Sequence, residues 1–195
     1  MAIRTGLQVA ALVDERRGDR AADRLFGLGC GAWFLGMLLW DYQELWLGEF
    51  TPFPSLSDLA FYVFLILFGT GLIFIRSERL RTPLTLLELS QFGIFLTCIV
   101  VAHLVIFAPM LHTSEHSTFY LVSALSYPVL SMALLAYSVA MLWLHGRGSQ
   151  RNPLGLIVAG IAAHTLSNSL YAYTLLDQSY QTGHCLDIAW LAGFA

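Results

Sequence analysis

Ionisable and amide side chains stand inside the long apolar stretches of this sequence, where charge is costly and each one is a candidate for function. Asp41 and Glu44 lie three residues apart, on one helical face near the end of the first stretch. His164, Asn168 and Tyr171 follow the i, i+4, i+7 spacing that aligns side chains along one face of a helix. Carboxyl groups between apolar walls can take up a proton or a cation, and the change in charge can alter helix packing.

The candidates come from several apolar stretches, and their convergence on one side favours a cavity or relay. For any single residue, the alternative is an interhelical hydrogen bond that holds a bundle together, worth about 0.6 kcal/mol on average. The candidate ligand-binding or sensing residues are Asp41, Glu44, Asp58, His103, His164, Asn168, Tyr171, Asp187 and Trp190.

A metal site is a second interpretation of the polar residues. His112 and His116 are four apart, as two ligands on one helical turn would be, and His184 and Cys185 are predicted on the same side. Zinc or copper accepts such a mixture of ligands. The segment HTSEH is not HExxH, and no pair here has a diagnostic spacing such as CxxC, so a metal stays an alternative and no cofactor is expected.

Arginine supplies all ten basic residues, and these occur only in alternate gaps between the apolar stretches. Short loops rich in Arg or Lys stay in the cytoplasm, so the alternation predicts the topology. Loops 47–55, 109–117 and 177–185 are expected outside, whereas loops 76–82 and 145–153 and the N-terminus are expected inside. The arginines are Arg4, Arg16, Arg17, Arg20, Arg24, Arg76, Arg79, Arg81, Arg147 and Arg151.

The composition agrees with a membrane protein. Hydrophobic residues make up 57% of the chain and charged residues 12%, against about a quarter charged in soluble domains. The mean hydropathy of +0.66 over 195 residues leaves no room for a soluble domain of ordinary size. There is no basic cluster typical of nucleic-acid binding, and three cysteines do not make a disulfide framework.

The predicted fold is all-α, a polytopic transmembrane bundle of about six spanning helices with the last one truncated. A span needs about 20 apolar residues, and a sixth helix from 185 has only eleven residues, or about 16 Å. We therefore expect the sequence to be a fragment. Residues 1–24 form an arginine-rich cytoplasmic segment and residues 25–195 the bundle, whose other spans are 25–47, 55–75, 82–108, 117–144 and 153–176.

Local signals refine these helices. Pro52 and Pro54 precede Ser55 and Asp58, a Ser-x-x-Asp pattern expected to cap the second helix rigidly. Pro128 is expected to kink the fourth helix. On the fifth helix, the small residues Gly155, Ala159 and Ala163 are expected to form a close-packing face.

The segment WDYQELWLGEFTPFPSLSDLAFYVF resembles the multi-helix N-terminal input module found ahead of GGDEF and EAL domains and some histidine kinases in bacterial signalling proteins. An aromatic–acidic helix end leads there into a proline–serine–x–x–aspartate turn and an aromatic helix start. The resemblance covers roughly residues 20–195. The matching residues are Trp40, Asp41, Tyr42, Glu44, Pro52, Phe53, Pro54, Ser55, Asp58, Tyr62, Tyr127, Pro128, Gly183, Asp187 and Trp190.

The resemblance implies a sensor module in the bacterial inner membrane, without catalysis of its own. Its partners would be the lipid bilayer, a missing cytoplasmic effector on the same chain that makes or hydrolyses cyclic di-GMP, and a second copy in a homodimer. The chain departs from the family at Ser131, where an aspartate is common, and at Ser167 and Asn168, where an acidic residue is common. Both departures weaken a mechanism based on carboxyl titration.

Two other functions fit the same residues. A small proton- or ion-coupled transporter would use Asp41, Glu44, His103 and His164 as a relay, although no inverted repeat is evident. An intramembrane metal-dependent enzyme would need a ligand set at mid-depth, and His164 alone is poor support for one.

Overall fold

The computed structural model contains helices and no strands among the residues that it describes. It describes residues 2–48, 53–80, 85–113, 117–145, 151–181, 187–188, 190 and 193. Side chains are described within these ranges except at 2–19, 76–80, 87–88, 91, 110–113, 144–145 and 151–152.

Five helices follow one another along the chain, and each contains an apolar stretch long enough to cross a membrane. The helices are α1 (Ala2–Leu45), α2 (Leu56–Leu80), α3 (Leu86–Thr113), α4 (Thr118–His145) and α5 (Arg151–Leu176). The stretches that can span are Arg20–Leu45, Leu56–Ile75, Phe92–Pro109, Thr118–Trp143 and Pro153–Leu176. A multi-pass membrane protein is thus supported.

The sixth predicted span stays a prediction. Residues 187, 188 and 190 are helical, but most of their neighbours lie outside the described residues.

Two helix boundaries differ from the sequence prediction. Helix α1 runs without a break from Ala2 to Leu45, so the helix begins well before the predicted span 25–47. Helix α3 continues past residue 108 and through Pro109 to Thr113. Apolar surroundings favour continuing a helix through a proline, since a broken helix would leave more backbone groups without partners.

The first compact unit comprises residues 1–40 and 56–84, which contribute α1 and α2. Glycines let aromatic rings approach the helices closely here: a Cβ on Gly36 would lie 2.5 Å from the Phe61 ring, and one on Gly71 would lie 2.7 Å from the Phe26 ring. A Cβ on Gly27 or on Gly31 would meet nothing within 4 Å, so these two glycines of α1 make no such contact among the described residues.

The second compact unit comprises residues 41–55 and 85–195, with α4 packed against both α3 and α5. Small buried hydroxyls line the interface of α4 and α5 and bond to backbone carbonyls. The Thr165 hydroxyl donates to the carbonyls of Ile161 and Ser131, and the Ser131 hydroxyl donates to the carbonyl of Tyr127. Pro128 lies buried inside α4 beside these bonds. Small residues let the two backbones come close without burying unsatisfied hydroxyls.

Candidate functional site

Six aromatic residues of the second unit form a connected group, called here the aromatic cluster. Tyr171 lies at its centre, with ring centroids 4.8 Å from Tyr180, 5.2 Å from Trp190 and 6.1 Å from Phe53. The Phe53 ring also contacts two tyrosines of α4. The members are Phe53, Tyr120, Tyr127, Tyr171, Tyr180 and Trp190.

Three members of the cluster lie in or beside connections that lack arginine. Phe53 belongs to the segment before α2, Tyr120 lies in the first turn of α4, and Tyr180 follows the end of α5. These contacts place Phe53, the first turn of α4 and the residues after α5 at the same end of the second unit, as alternating helix directions require. Which side of the membrane this end faces stays a prediction from the arginine pattern.

Local backbone signals position the tyrosines. On α4, Tyr120 and Tyr127 are seven residues apart, so they share one helical face. At the end of α5, Gln178 adopts a positive φ of 57°, and the amides of Ser179 and Tyr180 donate to the carbonyl of Thr174. This left-handed cap reverses the chain and directs Tyr180 back onto Tyr171.

Two hydrogen bonds link rings of the aromatic cluster to polar side chains. The Trp190 indole N–H donates to Oδ1 of Asn168 at 3.0 Å, and the Tyr180 hydroxyl donates to a carboxylate oxygen of Asp187 at 2.9 Å. Asn168 is 4% exposed. Its amide nitrogen Nδ2 has no hydrogen-bond partner among the described residues.

A close backbone approach holds the chain near Trp190 against α5. A Cβ on Gly160 would lie 2.5 Å from the carbonyl oxygen of Gly193, and a Cβ on Gly193 would lie 3.4 Å from the Cβ of His164. Gly160, His164 and Asn168 are spaced by four, so they form one ridge of α5. The predicted packing face of Gly155, Ala159 and Ala163 is not used for this contact, and a Cβ on Gly155 would meet nothing within 4 Å.

His103 joins α3 to α5 beside the ridge. Its Nε2 lies 3.4 Å from the Ser169 hydroxyl and its Nδ1 lies 3.2 Å from the carbonyl of Ile99. The ring is 8% exposed and also contacts Phe107. His164 is buried as well, at 9% exposed.

The structure brings four of the predicted site residues together: Asn168, Tyr171, Asp187 and Trp190. Asp41, in contrast, is exposed, and Glu44 is half-buried. Asp58 is 4% exposed and belongs to the first unit, so its place relative to the aromatic cluster stays a prediction.

The predicted turn before α2 is described in part. Ser55 directly precedes the helix and Asp58 lies in its first turn, the positions that a capping pair needs. Pro54 follows a cis peptide bond, and Pro52 lies outside the described residues.

The side chains of the four residues considered as metal ligands are not described by the structure. His116, His184 and Cys185 lie outside the described residues, and the side chain of His112 is not described. Elsewhere in the described chain, no group of three or more His, Cys, Asp and Glu residues could hold a metal ion.

Sequence reasoning missed Phe53, Tyr120 and Tyr180 as site residues. A signal existed, because each aromatic residue stands within a few positions of an arginine-free connection. Such residues are also typical of the membrane interface, where Tyr and Trp are enriched, so their position alone does not separate a site from an anchor.

The arrangement offers ring faces, a carboxylate and a buried amide at one end of a helical unit. Ring faces bind planar apolar groups and an amide donates hydrogen bonds, so the arrangement can bind a ligand by these two means. Comparisons of the chain with protein-family models, curated proteins and solved structures found no match.

Proposed function

We propose that this chain is the membrane-embedded sensory input domain of a bacterial signalling protein. The aromatic cluster receives a stimulus on the extracytoplasmic side, and helix displacement passes it to a cytoplasmic effector that makes or hydrolyses cyclic di-GMP. The observation that supports the proposal best is the aromatic cluster, in which Phe53 before α2 contacts both Tyr120 in the first turn of α4 and Tyr171, and Tyr180 after α5 contacts Tyr171. The choice of effector rests on the resemblance of the segment from Trp40 to Tyr62 to signalling input modules.

Helix α5 is the element suited to carry the signal. It has 26 residues, about 39 Å at 1.5 Å per residue, which exceeds the thickness of the hydrocarbon core. Asn168 and Tyr171 near one end make the stimulus-side contacts, while Arg151 at the other end lies in a predicted cytoplasmic loop. A rigid helix that shifts at one end shifts at the other, and a closely packed interface favours discrete positions.

The test uses the full-length protein in its native membrane. Asp187→Asn keeps the size of the side chain but removes the negative charge from the group that accepts a hydrogen bond from the Tyr180 hydroxyl. We therefore expect a changed cyclic di-GMP output with normal insertion. Asp177→Asn is the matched control, because Asp177 is exposed in the turn after α5. If Asp187→Asn inserts normally and signals like the parent across stimuli, the cluster only holds the fold together.

One observation favours a second candidate, an ion-coupled carrier. The buried His103 on α3 lies 3.4 Å from the Ser169 hydroxyl on α5. A histidine at membrane depth can serve in a proton relay. Proton flux would be measured in proteoliposomes. A flux that is present with the parent protein and abolished in His103→Gln would favour the carrier. Equal flux in parent and variant would reject it.

A further inference from the structure

The amide nitrogen of Asn168 is a buried donor without a hydrogen-bond partner among the described residues. Its orientation is fixed, because the Trp190 indole can only donate and therefore requires the carbonyl oxygen of Asn168 on its side. An unsatisfied buried donor is costly, because it has lost its hydrogen bonds to water without gaining others. Native proteins leave few such groups, so a buried donor of this kind is a candidate for ligand binding.

The surroundings of this donor restrict what the bound molecule can be. Tyr171, one turn further along α5, contacts the rings of Trp190, Tyr180 and Phe53. Ring faces match a planar apolar molecule, whereas a water molecule needs two to four polar partners. The ligand must also carry a hydrogen-bond acceptor for Asn168.

The acceptor is better neutral than anionic. Asp187 already places a carboxylate on Tyr180, and a second negative charge close to it would be repelled. A carbonyl oxygen accepts from the amide without adding charge. The site lies at the end of an apolar span, so a molecule dissolved in the bilayer can reach it.

Phe53 indicates where the ring of such a ligand would lie. It comes from the short segment before α2, is only half-buried, and places its ring against Tyr120, Tyr127 and Tyr171. The tyrosine walls thus already accept one planar apolar ring, supplied by the chain itself.

We propose that this site binds a planar, membrane-soluble carbonyl compound of the quinone class. Its ring replaces the Phe53 ring against Tyr171, and its carbonyl oxygen accepts from Nδ2 of Asn168. No electron transfer is involved. This ligand would be the stimulus of the proposed sensory function, and its role as a stimulus rests on that function.

The test compares two probes that differ only in the carbonyl groups. Duroquinone (tetramethyl-1,4-benzoquinone) and durene (1,2,4,5-tetramethylbenzene) are titrated against the purified chain in nanodiscs, with the rise in thermal midpoint giving relative affinity. Duroquinone has no open ring position for reaction with the exposed Cys30 and Cys98. We expect the preference for duroquinone over durene to fall about three- to tenfold in Asn168→Leu, the range for one lost hydrogen bond.

A second pair of variants tests the place of the ring. Phe53→Ala removes the internal occupant, so both probes should bind more tightly, whereas Phe119→Ala, at an exposed position of α4, should bind like the parent. This arm also holds if Asn168→Leu fails to fold. Absence of duroquinone binding to the parent, an unchanged preference in Asn168→Leu, or equal binding by Phe53→Ala and Phe119→Ala would each overturn the inference.

Failure of the proposed function would look different. Binding is measured on this chain alone, and cyclic di-GMP output is measured on the full-length protein. Normal duroquinone binding together with an output that Asp187→Asn leaves unchanged would reject the signalling role and leave the binding site standing.

Discussion

At the scale of the residue, Asn168 and Tyr171 hold the site together. The Asn168 carboxamide fixes Trp190 by a hydrogen bond, and the Tyr171 ring fixes Phe53, Tyr180 and Trp190 by contact. The helical spacing of Asn168 and Tyr171 on one face could be predicted from the sequence. Their partners could not, because Phe53 is more than a hundred residues away and Tyr180 turns back only through the left-handed cap at Gln178.

A first prediction concerns the indole hydrogen bond. Trp190→Phe keeps an aromatic ring beside Tyr171 but leaves Oδ1 of Asn168 without its donor, so we expect a loss of about 1 kcal/mol in unfolding free energy. Trp143→Phe is the control, since Trp143 is 75% exposed on α4. Unfolding in detergent should show a lower midpoint for Trp190→Phe alone, and equal midpoints for the two variants would count against the bond.

At the scale of the element, hydropathy located five helices because a spanning helix must satisfy its own backbone with about 20 apolar residues. The ends were harder to place. Helix α1 begins far before its apolar stretch, and α3 runs through Pro109. The surroundings of a helix can thus override local signals such as a proline. The close contacts of Gly36 and Gly160 could not be predicted either, because these glycines differ from Gly27, Gly31 and Gly155 only in what faces them.

A second prediction follows from the contact between Gly160 and Gly193. Gly160→Ala would place a Cβ 2.5 Å from a backbone carbonyl, so the chain near Trp190 must move away from α5, at a cost of about 1–3 kcal/mol. Gly155→Ala faces open space and should be neutral or slightly stabilising, because alanine favours a helix over glycine. Thermal unfolding of both variants in detergent checks this ranking, and a reversed order would contradict it.

A third prediction concerns the start of α2. Ser55 stands at the cap position directly before Leu56, so Ser55→Ala should lower the unfolding free energy by about 1 kcal/mol. Ser55→Thr keeps a hydroxyl at the cap and should recover most of the loss. If the alanine and threonine variants were equally stable, the hydroxyl would not serve as a cap.

At the scale of the whole molecule, composition and the arginine alternation predict a multi-pass membrane protein, and five helices are each long and apolar enough to fit that class. The contacts of the aromatic cluster further bring Phe53 before α2, the first turn of α4 and Tyr180 after α5 together in the second unit. Ligand and effector could not be predicted in the same way. They depend on which side chains meet across elements, and on partners of the chain rather than on its hydropathy.

The proposed sensory function requires the aromatic cluster to lie on the side of the membrane away from the cytoplasm. Single cysteines at Gln181, next to Tyr180, at Glu115 and at Ser149, each placed in a background with Cys30, Cys98 and Cys185 replaced by alanine, test it by labelling with a membrane-impermeant maleimide in intact cells. We predict labelling at positions 181 and 115 without permeabilisation, and at position 149 only after it. Labelling of position 149 alone in intact cells would reverse the orientation and contradict the sensory function with it.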